Sequence, residues 1–279
     1  MKKIIILFLI SLLSTANVYS ATDKYSQEYL QSKNHFSLTK PLAEYIAKKA
    51  IKKSLKKETG ADFDIKLEAY NTSSLKKGIF KYIELTGENV TINDIPITSV
   101  NLKSVTDYNY VDYTQNPMVY KSDMTYSYEL LLSDESLNAS LKDSQYKGII
   151  GTVNKLAGSM FVIKGLRTKI ANNKLYLIMD YNLPIVKLSK DRSFVAATEF
   201  QIQNGKIKAK NVHIDTAYGN LGLNKVANLI NLLNPLEFTL NQIDDNKYKG
   251  NIENINFIDN MIKINGKIYI KQNSERIEN

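Results

Sequence analysis

Few side chains in this chain could carry out chemistry. The sequence contains no Cys and only two His, at positions 35 and 213. Without Cys there is no thiol nucleophile, thiolate metal site, disulfide or lipid-modified cysteine. Two histidines cannot by themselves form a metal site that needs several imidazole ligands. We therefore expect neither a metal centre nor a cofactor.

One short motif has the form of a catalytic pair, His213-Ile214-Asp215. Residues two apart on a strand share a face, so the imidazole and the carboxylate could meet. The apolar Val212 and Ile214 are the expected inward positions, however, which turns His213 and Asp215 toward solvent. No Gly-x-Ser-x-Gly, His-Glu-x-x-His or phosphate-loop motif accompanies them. The sequence therefore favours a protein that is not an enzyme.

Basic side chains outnumber acidic ones by 37 to 28, for a formal net charge of +9. Lys48, Lys52 and Lys56 recur at four-residue spacing and are candidates to attract lipid head groups or an anionic membrane surface, at about 1 kcal/mol per residue. The alternative is a solvated helix face. Only three residues are Arg, so clustered recognition of phosphate by Arg is not indicated. Residues 1–20 resemble an export signal, as described next, and export also argues against nucleic acid as a partner.

Residues 1–20 have the composition of a secretory signal peptide. Lys2 and Lys3 precede an apolar run over residues 4–13, and cleavage is expected near Ser20. The run is shorter than the roughly 20 residues that span a bilayer, so a retained anchor is the weaker interpretation. We expect the protein to be exported to the periplasm or another extracytoplasmic part of the cell envelope.

The rest of the chain divides into three parts by composition. Residues 21–38 are predicted to form a polar, weakly ordered lead-in or a short helix, residues 39–273 a single domain, and residues 274–279 a disordered tail. The domain opens with a helix whose first turn Thr39 can cap with its side chain and which Gly60 can end.

This helix is predicted over residues 40–58 and is amphipathic. At 100° per residue, Leu42, Ile46 and Ile51 fall within one half of its surface. These three side chains are predicted to point inward, while the lysines face water.

After the helix the hydrophobic period changes from 3.6 to 2, which indicates strands. The alternating runs span residues 63–69, 79–86, 89–93, 95–105, 119–132, 160–171, 174–181, 184–189, 193–203, 206–215, 236–243, 251–258, 260–264 and 267–271. Tight-turn signals lie at Asn93-Asp94, Asn172-Asn173, Asn204-Gly205 and Asn265-Gly266. Short hairpins and the lack of a repeated strand-helix-strand pattern predict antiparallel pairing.

Three shorter helices are predicted among the strands. Ser133 can cap the first. Residues 145–157 have helical spacing with two glycines, so they could form a mobile gate or a plain connection. The third spans residues 222–233 and is predicted to end at Asn234-Pro235.

Six tyrosines cluster in one stretch: Tyr108, Tyr110, Tyr113, Tyr120, Tyr126 and Tyr128. They could form an aromatic band at a membrane interface or a surface that stacks on sugars. Because Tyr is also a favoured strand residue, we interpret the stretch as core or edge packing.

Five segments in this order resemble a known family. They are KKGIF (76–80), IELTGENVTI (83–92), IPI (95–97), SDESLNASL (133–141) and LNP (233–235). Together they resemble the LmeA-like family of bacterial envelope proteins, a domain of unknown function related to the tubular lipid-binding (TULIP) proteins. The resemblance covers roughly residues 40–271. It implies an α+β fold in which a strongly curved antiparallel sheet wraps around the long N-terminal helix, with short capping helices.

The resemblance also implies an apolar groove for lipid and no catalytic motif. The candidate groove residues are Leu42, Ile46, Ile51, Leu229, Ile230 and Leu233. The expected function is therefore non-catalytic binding or shuttling of a phospholipid or other acyl lipid, with an anionic membrane surface as a second partner. The alternative is a structural or accessory envelope module with a filled core, which docks polymers or proteins through its basic helix and Tyr-rich edge.

Overall fold

The computed structural model describes residues 23–33, 37–112, 119–157, 162–182, 192–203, 206–215, 233–243 and 249–272. Several predicted features lie outside these ranges: the signal peptide, residues 222–232 with Leu229 and Ile230, the strand 184–189, the turn Asn204-Gly205, Tyr113 and the C-terminal tail.

The helical segments are a 3-10 turn Asp23–Tyr25, α1 (Gln27–Ser32), α2 (Lys40–Thr59), α3 (Thr72–Lys76), α4 (Asp134–Ser140), α5 (Ser144–Ala157) and α6 (Pro235–Ile243). The strands are β1 (Phe63–Glu68), β2 (Ile79–Phe80), β3 (Tyr82–Ile92), β4 (Ile95–Ser104), β5 (Asn109–Asp112), β6 (Val119–Tyr120), β7 (Met124–Leu132), β8 (Val162–Ala171), β9 (Lys174–Asn182), β10 (Arg192–Gln203), β11 (Lys206–Asp215), β12 (Lys249–Ile258) and β13 (Met261–Ile270).

Strands dominate the described part of the chain and pair antiparallel. The largest sheet has six strands in the order β1-β3-β4-β7-β13-β12. A four-stranded sheet follows the order β11-β10-β9-β8, and a small one the order β2-β5-β6. The predicted α+β class with antiparallel sheets is therefore confirmed.

The ends of α2 follow the prediction in part. Gly60 ends the helix in the left-handed region, at φ 72°, and its N–H donates to the Lys56 carbonyl oxygen. The prediction that Thr39 caps the first turn with its side chain is wrong. The Thr39 hydroxyl instead lies 2.7 Å from the Thr72 hydroxyl, which joins the start of α2 to α3.

The buried face of α2 differs from the predicted one. Its buried residues recur at every fourth position: Ala47, Ile51, Leu55 and Thr59. Leu42 and Ile46 are 62% and 59% exposed, so the prediction that they point inward is wrong. The buried row passes through Ile51 and Leu55, about a quarter turn from the predicted face, because these two side chains pack in the same cluster as Phe63 of β1.

Two of the predicted hairpin turns are confirmed. Asn93-Asp94 and Asn172-Asn173 have positive φ at both positions and join β3 to β4 and β8 to β9. The turn predicted at Asn265-Gly266 is wrong, because both residues lie inside β13 and pair with β7 and β12. The chain turns instead at Asp259-Asn260, where φ is 49° and 58°.

The predicted strand 236–243 is the helix α6, so this prediction is also wrong. Asn234 caps the helix, since its side-chain oxygen accepts from the N–H groups of Leu236 and Glu237. Proline lacks a backbone N–H and has a fixed φ, which suits the first turn of a helix, and Pro235 occupies that position here. Asn234-Pro235 therefore begins a helix, and residues 222–232 of the helix that it was predicted to end lie outside the described residues.

The main hydrophobic cluster joins the two larger sheets. It includes Ile170, Leu175 and Ile207 of the four-stranded sheet together with the buried rows of the six-stranded sheet and α2. Phe200 of β10 and Phe257 of β12 stack with ring centroids 6.2 Å apart. A second cluster lies on the four-stranded sheet beneath α5.

Candidate functional site

The four described candidate groove residues do not come together. Ile51 is fully buried in the main cluster, and Leu233 is fully buried in the second cluster. Leu42 and Ile46 are on the surface of α2. Leu229 and Ile230 lie outside the described residues. The four described positions therefore do not line one common groove.

The contact between α2 and the six-stranded sheet is filled by side chains. Ile51, Leu55 and Phe63 have 1% exposure or less and belong to one cluster. Protein interiors pack at nearly crystalline density, so such a contact leaves no room for an acyl chain at this point.

The second cluster is less completely covered. Its buried members are Val153, Ile163, Met179, Tyr181, Phe194, Ala196 and Leu233. Five further apolar side chains pack against it but stay only partly buried: Ile149, Ile150, Leu166, Ala209 and Val212. We call these five residues the aliphatic seam; Leu166 lies on β8, and Ala209 and Val212 lie on β11, the two outer strands of the sheet. Ile149 and Ile150 lie on the same side of α5 as the buried Val153, so the helix side that faces the cluster remains partly open to solvent.

Helix α5 is held at two points on either side of the seam isoleucines. Near its start, the Tyr146 hydroxyl donates to the Leu233 carbonyl oxygen at 2.6 Å, and its ring meets Phe238 edge-on. Burial raises the pKa of Tyr146, so the phenol stays a donor. Near the helix end, the Asn154 side chain makes two hydrogen bonds to the backbone of Ile163, at 2.8 and 3.1 Å.

Between these two anchors, α5 carries glycines at 148 and 151. A Cβ atom at either position would meet nothing within 4 Å. Glycine costs an α-helix about 0.5–1 kcal/mol relative to alanine. The two glycines therefore lower the intrinsic stability of the helix segment that carries the seam isoleucines.

Replacing Gly148 and Gly151 by alanine is expected to raise the free energy of unfolding by about 0.5–1 kcal/mol per site. Each alanine lowers the backbone entropy of the unfolded chain and causes no clash in the folded one. Urea unfolding followed by circular dichroism measures the change. Gly60→Ala is the matched control and should cost about 1 kcal/mol, since Gly60 has φ +72°. An unchanged or lowered stability of Gly148→Ala and Gly151→Ala would contradict this description of α5.

The three lysines predicted to meet head groups all lie on α2, but their surroundings differ from one to the next. Lys52 and Lys56 share the carboxylate of Asp62, at 3.9 and 2.9 Å. The hydrogen bond from Lys56 lowers the pKa of Asp62. Lys48 is partly buried, while Lys53 and Lys57 are exposed. Lys52 and Lys56 are exposed as well, so of the three predicted lysines Lys48 is the one that is partly withdrawn from solvent.

The tyrosine stretch is mostly core. Tyr108, Tyr120, Tyr126 and Tyr128 are buried, which confirms the interpretation as packing. Burial raises the pKa of Tyr108 to about 12. These four side chains are therefore not available as a docking edge.

Polar hollows also lie among the described residues. One of about 200 Å³ lies between α1 and the start of α2 and is lined by Lys40, Tyr70 and Asp107 among others. Another, of about 500 Å³, lies between the β3–β4 turn and the α4–α5 link, beside Asp94 and Lys142. Neither hollow has an aliphatic lining suited to an acyl chain.

The remaining candidate for chemistry is His213 on β11. Its side chain is exposed, as predicted. The side chain of Asp215 lies outside the described part of the structure. Within the described ranges, no three acidic or histidine side chains are placed to hold a metal ion.

None of the helices within the described ranges combines the length and the apolar character needed to cross a bilayer. Comparison of the chain with protein-family models, with curated proteins and with solved structures finds no match.

Proposed function

We propose that this chain is an exported, non-catalytic protein of the bacterial cell envelope that binds or shuttles a phospholipid or other acyl lipid. The observation that carries the proposal is the aliphatic seam, the set of partly buried apolar side chains around the second cluster. Apolar side chains that face a core yet stay open to solvent are typical of a site for an apolar ligand.

The seam is suited to an acyl chain rather than to a polar ligand. Its members are Ile149, Ile150, Leu166, Ala209 and Val212, none of which offers a hydrogen-bonding side chain. Covering a methylene group contributes about 0.8 kcal/mol. An acyl chain that buried ten methylenes would gain roughly 8 kcal/mol before the cost of ordering it.

The proposal includes the tubular lipid-binding architecture that the family resemblance implies, with sheets curved around an apolar interior. Both larger sheets contribute side chains to one hydrophobic cluster, which supports this architecture. The contact of α2 with the sheet is filled, so we assign the lipid to the seam under α5 and not to a groove beneath α2. The pliable middle of α5 would let the lipid enter.

Protein purified from its own host under gentle conditions is expected to carry a stoichiometric lipid, detected by native mass spectrometry and identified after solvent extraction. The double variant Ile149→Ser/Ile150→Ser should bind the lipid at least about tenfold more weakly and carry less of it per protein after the same purification, because it removes apolar contact worth more than about 1.4 kcal/mol. Val105→Ser/Ile258→Ser is the matched control, since it removes two exposed apolar side chains away from the seam.

An empty protein would contradict the proposal, and so would equal loss of lipid in both double variants. An empty protein would favour the alternative, an accessory envelope module with a filled core. The packed contact beneath α2 supports this alternative. Such a module would have to dock through its basic helix, because the described tyrosines of the stretch are largely buried.

A further inference from the structure

The outward face of α2 changes character along the helix. Its first turns expose large apolar side chains: Leu42, Tyr45 and Ile46, with Leu38 just before the helix at 86% exposure. Its later turns expose ammonium groups: Lys49, Lys53, Lys56 and Lys57. We call these eight residues the α2 outer face.

The helical members of this face form one continuous strip. At 100° per residue they fall within about a third of the helix circumference, opposite the buried Ile51. From Leu42 to Lys57 the strip runs for about 22 Å, at 1.5 Å per residue. It is long enough to lie flat along a surface.

The acidic residues of α2 do not interrupt the strip. Glu44 accepts a hydrogen bond from the Ala69 N–H on the opposite side of the helix. Glu58 projects to that side as well. Asp62, beyond the helix end, pairs with Lys52 and Lys56 and neutralises one charge at the margin. The strip therefore remains positively charged, because it still carries Lys49, Lys53 and Lys57.

We propose that the α2 outer face docks the protein onto an anionic lipid bilayer. The charges and the apolar residues match the two layers of such a surface: Leu38, Leu42 and Ile46 enter the acyl boundary, and the lysines meet the phosphates. Tyr45 suits the boundary, where an aromatic ring with a polar end is favoured. A second copy of the chain is a poorer occupant, since a parallel pairing would bring lysines against lysines and an antiparallel pairing would bring lysines against the apolar residues.

This inference rests on the proposed function, because it names the surface on which a lipid-binding protein would load or release its cargo. Docking places α2 on the membrane, while the cargo site lies under α5. The two sites use different residues, so each can be removed without the other.

Sedimentation with vesicles tests the docking. The protein purified from its host is expected to bind vesicles of phosphatidylglycerol and phosphatidylcholine in equal parts, and to bind pure phosphatidylcholine vesicles much more weakly. Leu42→Ser/Ile46→Ser should lower the partition coefficient about 100-fold. Lys53→Gln/Lys57→Gln should lower it about 30-fold on anionic vesicles and leave binding to neutral ones unchanged.

Matched controls carry the same chemical changes elsewhere. Lys147→Gln/Lys155→Gln removes two exposed charges from α5, and Val105→Ser/Ile258→Ser removes two exposed apolar side chains. Both should bind like the parent protein. Docking is overturned if these controls lose as much binding as the α2 variants, or if anionic and neutral vesicles bind equally. It is also overturned if Leu42→Ser/Ile46→Ser converts a dimer to a monomer with no change on vesicles.

The lipid content of the variants separates this inference from the proposed function. Leu42→Ser/Ile46→Ser should retain the co-purified lipid that Ile149→Ser/Ile150→Ser loses. A parent protein that carries lipid but does not bind vesicles would overturn the docking alone. Vesicle binding by a protein that carries no lipid would overturn the proposed function and leave the docking surface in place.

Discussion

Gly266→Ala is expected to destabilise the folded protein by about 3 kcal/mol, the upper end of the range for overpacking a well-packed interior. A Cβ atom at this position would lie 2.1 Å from the Asn251 backbone oxygen and 2.5 Å from the Tyr128 hydroxyl. The backbone oxygen cannot move aside without disturbing the pairing of β12 with β13. Urea unfolding followed by circular dichroism measures the loss.

Gly165→Ala is the matched control for this variant. Gly165 also lies in a strand, but a Cβ atom there would meet only Asp180, at 3.4 Å and beyond. Its stability should therefore change by less than about 1 kcal/mol. A Gly266→Ala protein as stable as Gly165→Ala would show that β12 does not approach β13 as closely as described.

Leu55→Ala is expected to cost about 3 kcal/mol, because it empties a fully buried position between α2 and the six-stranded sheet. Leu42→Ala, the same change on the same helix, should alter stability by no more than about 0.5 kcal/mol, since Leu42 is 62% exposed. The difference between the two free energies of unfolding measures which face of α2 is packed.

Equal costs for the two leucines would contradict the orientation of α2. The reverse order, with Leu42→Ala the more damaging, would restore the face predicted from hydrophobic spacing and remove the basis for membrane docking. The pair therefore tests the fold and the proposed docking surface together.

Local patterns predicted most of the elements of this fold. Period-2 alternation located strands such as β1 and β7, and Gly60 marked the end of α2. Asn93-Asp94 and Asn172-Asn173 formed the expected turns, because short polar residues tolerate positive φ. Such features depend on residues next to one another in the chain.

The errors arose where one local pattern fits two structures. Asn265-Gly266 has the form of a turn, yet Gly266 is needed inside β13 because Tyr128 and Asn251 approach it across the sheet. Residues 236–243 alternate like a strand, yet the Asn234 cap begins a helix there. Contacts with distant residues decide the first case, and the local cap from Asn234 decides the second.

The candidate site depended on tertiary contacts to a greater degree. Helical spacing placed Ile149 and Ile150 on one side of α5. The four-stranded sheet formed by β8, β9, β10 and β11 decided which residues lie beneath them. The tyrosine stretch was interpreted correctly as packing, since Tyr is favoured in strands.

The sequence by itself determined the absence of thiol chemistry, the excess of lysine, the antiparallel β-rich class and the existence of the helix at 40–59. Hydrophobic spacing correctly predicted that Ile51 is packed, but the tertiary structure alone decided that Leu55 is packed while Leu42 and Ile46 meet solvent. The physical reason is that α2 carries apolar residues on more than one side, so hydrophobic spacing permits several orientations. The position of β1 and its neighbours selects the one that buries Leu55 and leaves the α2 outer face exposed.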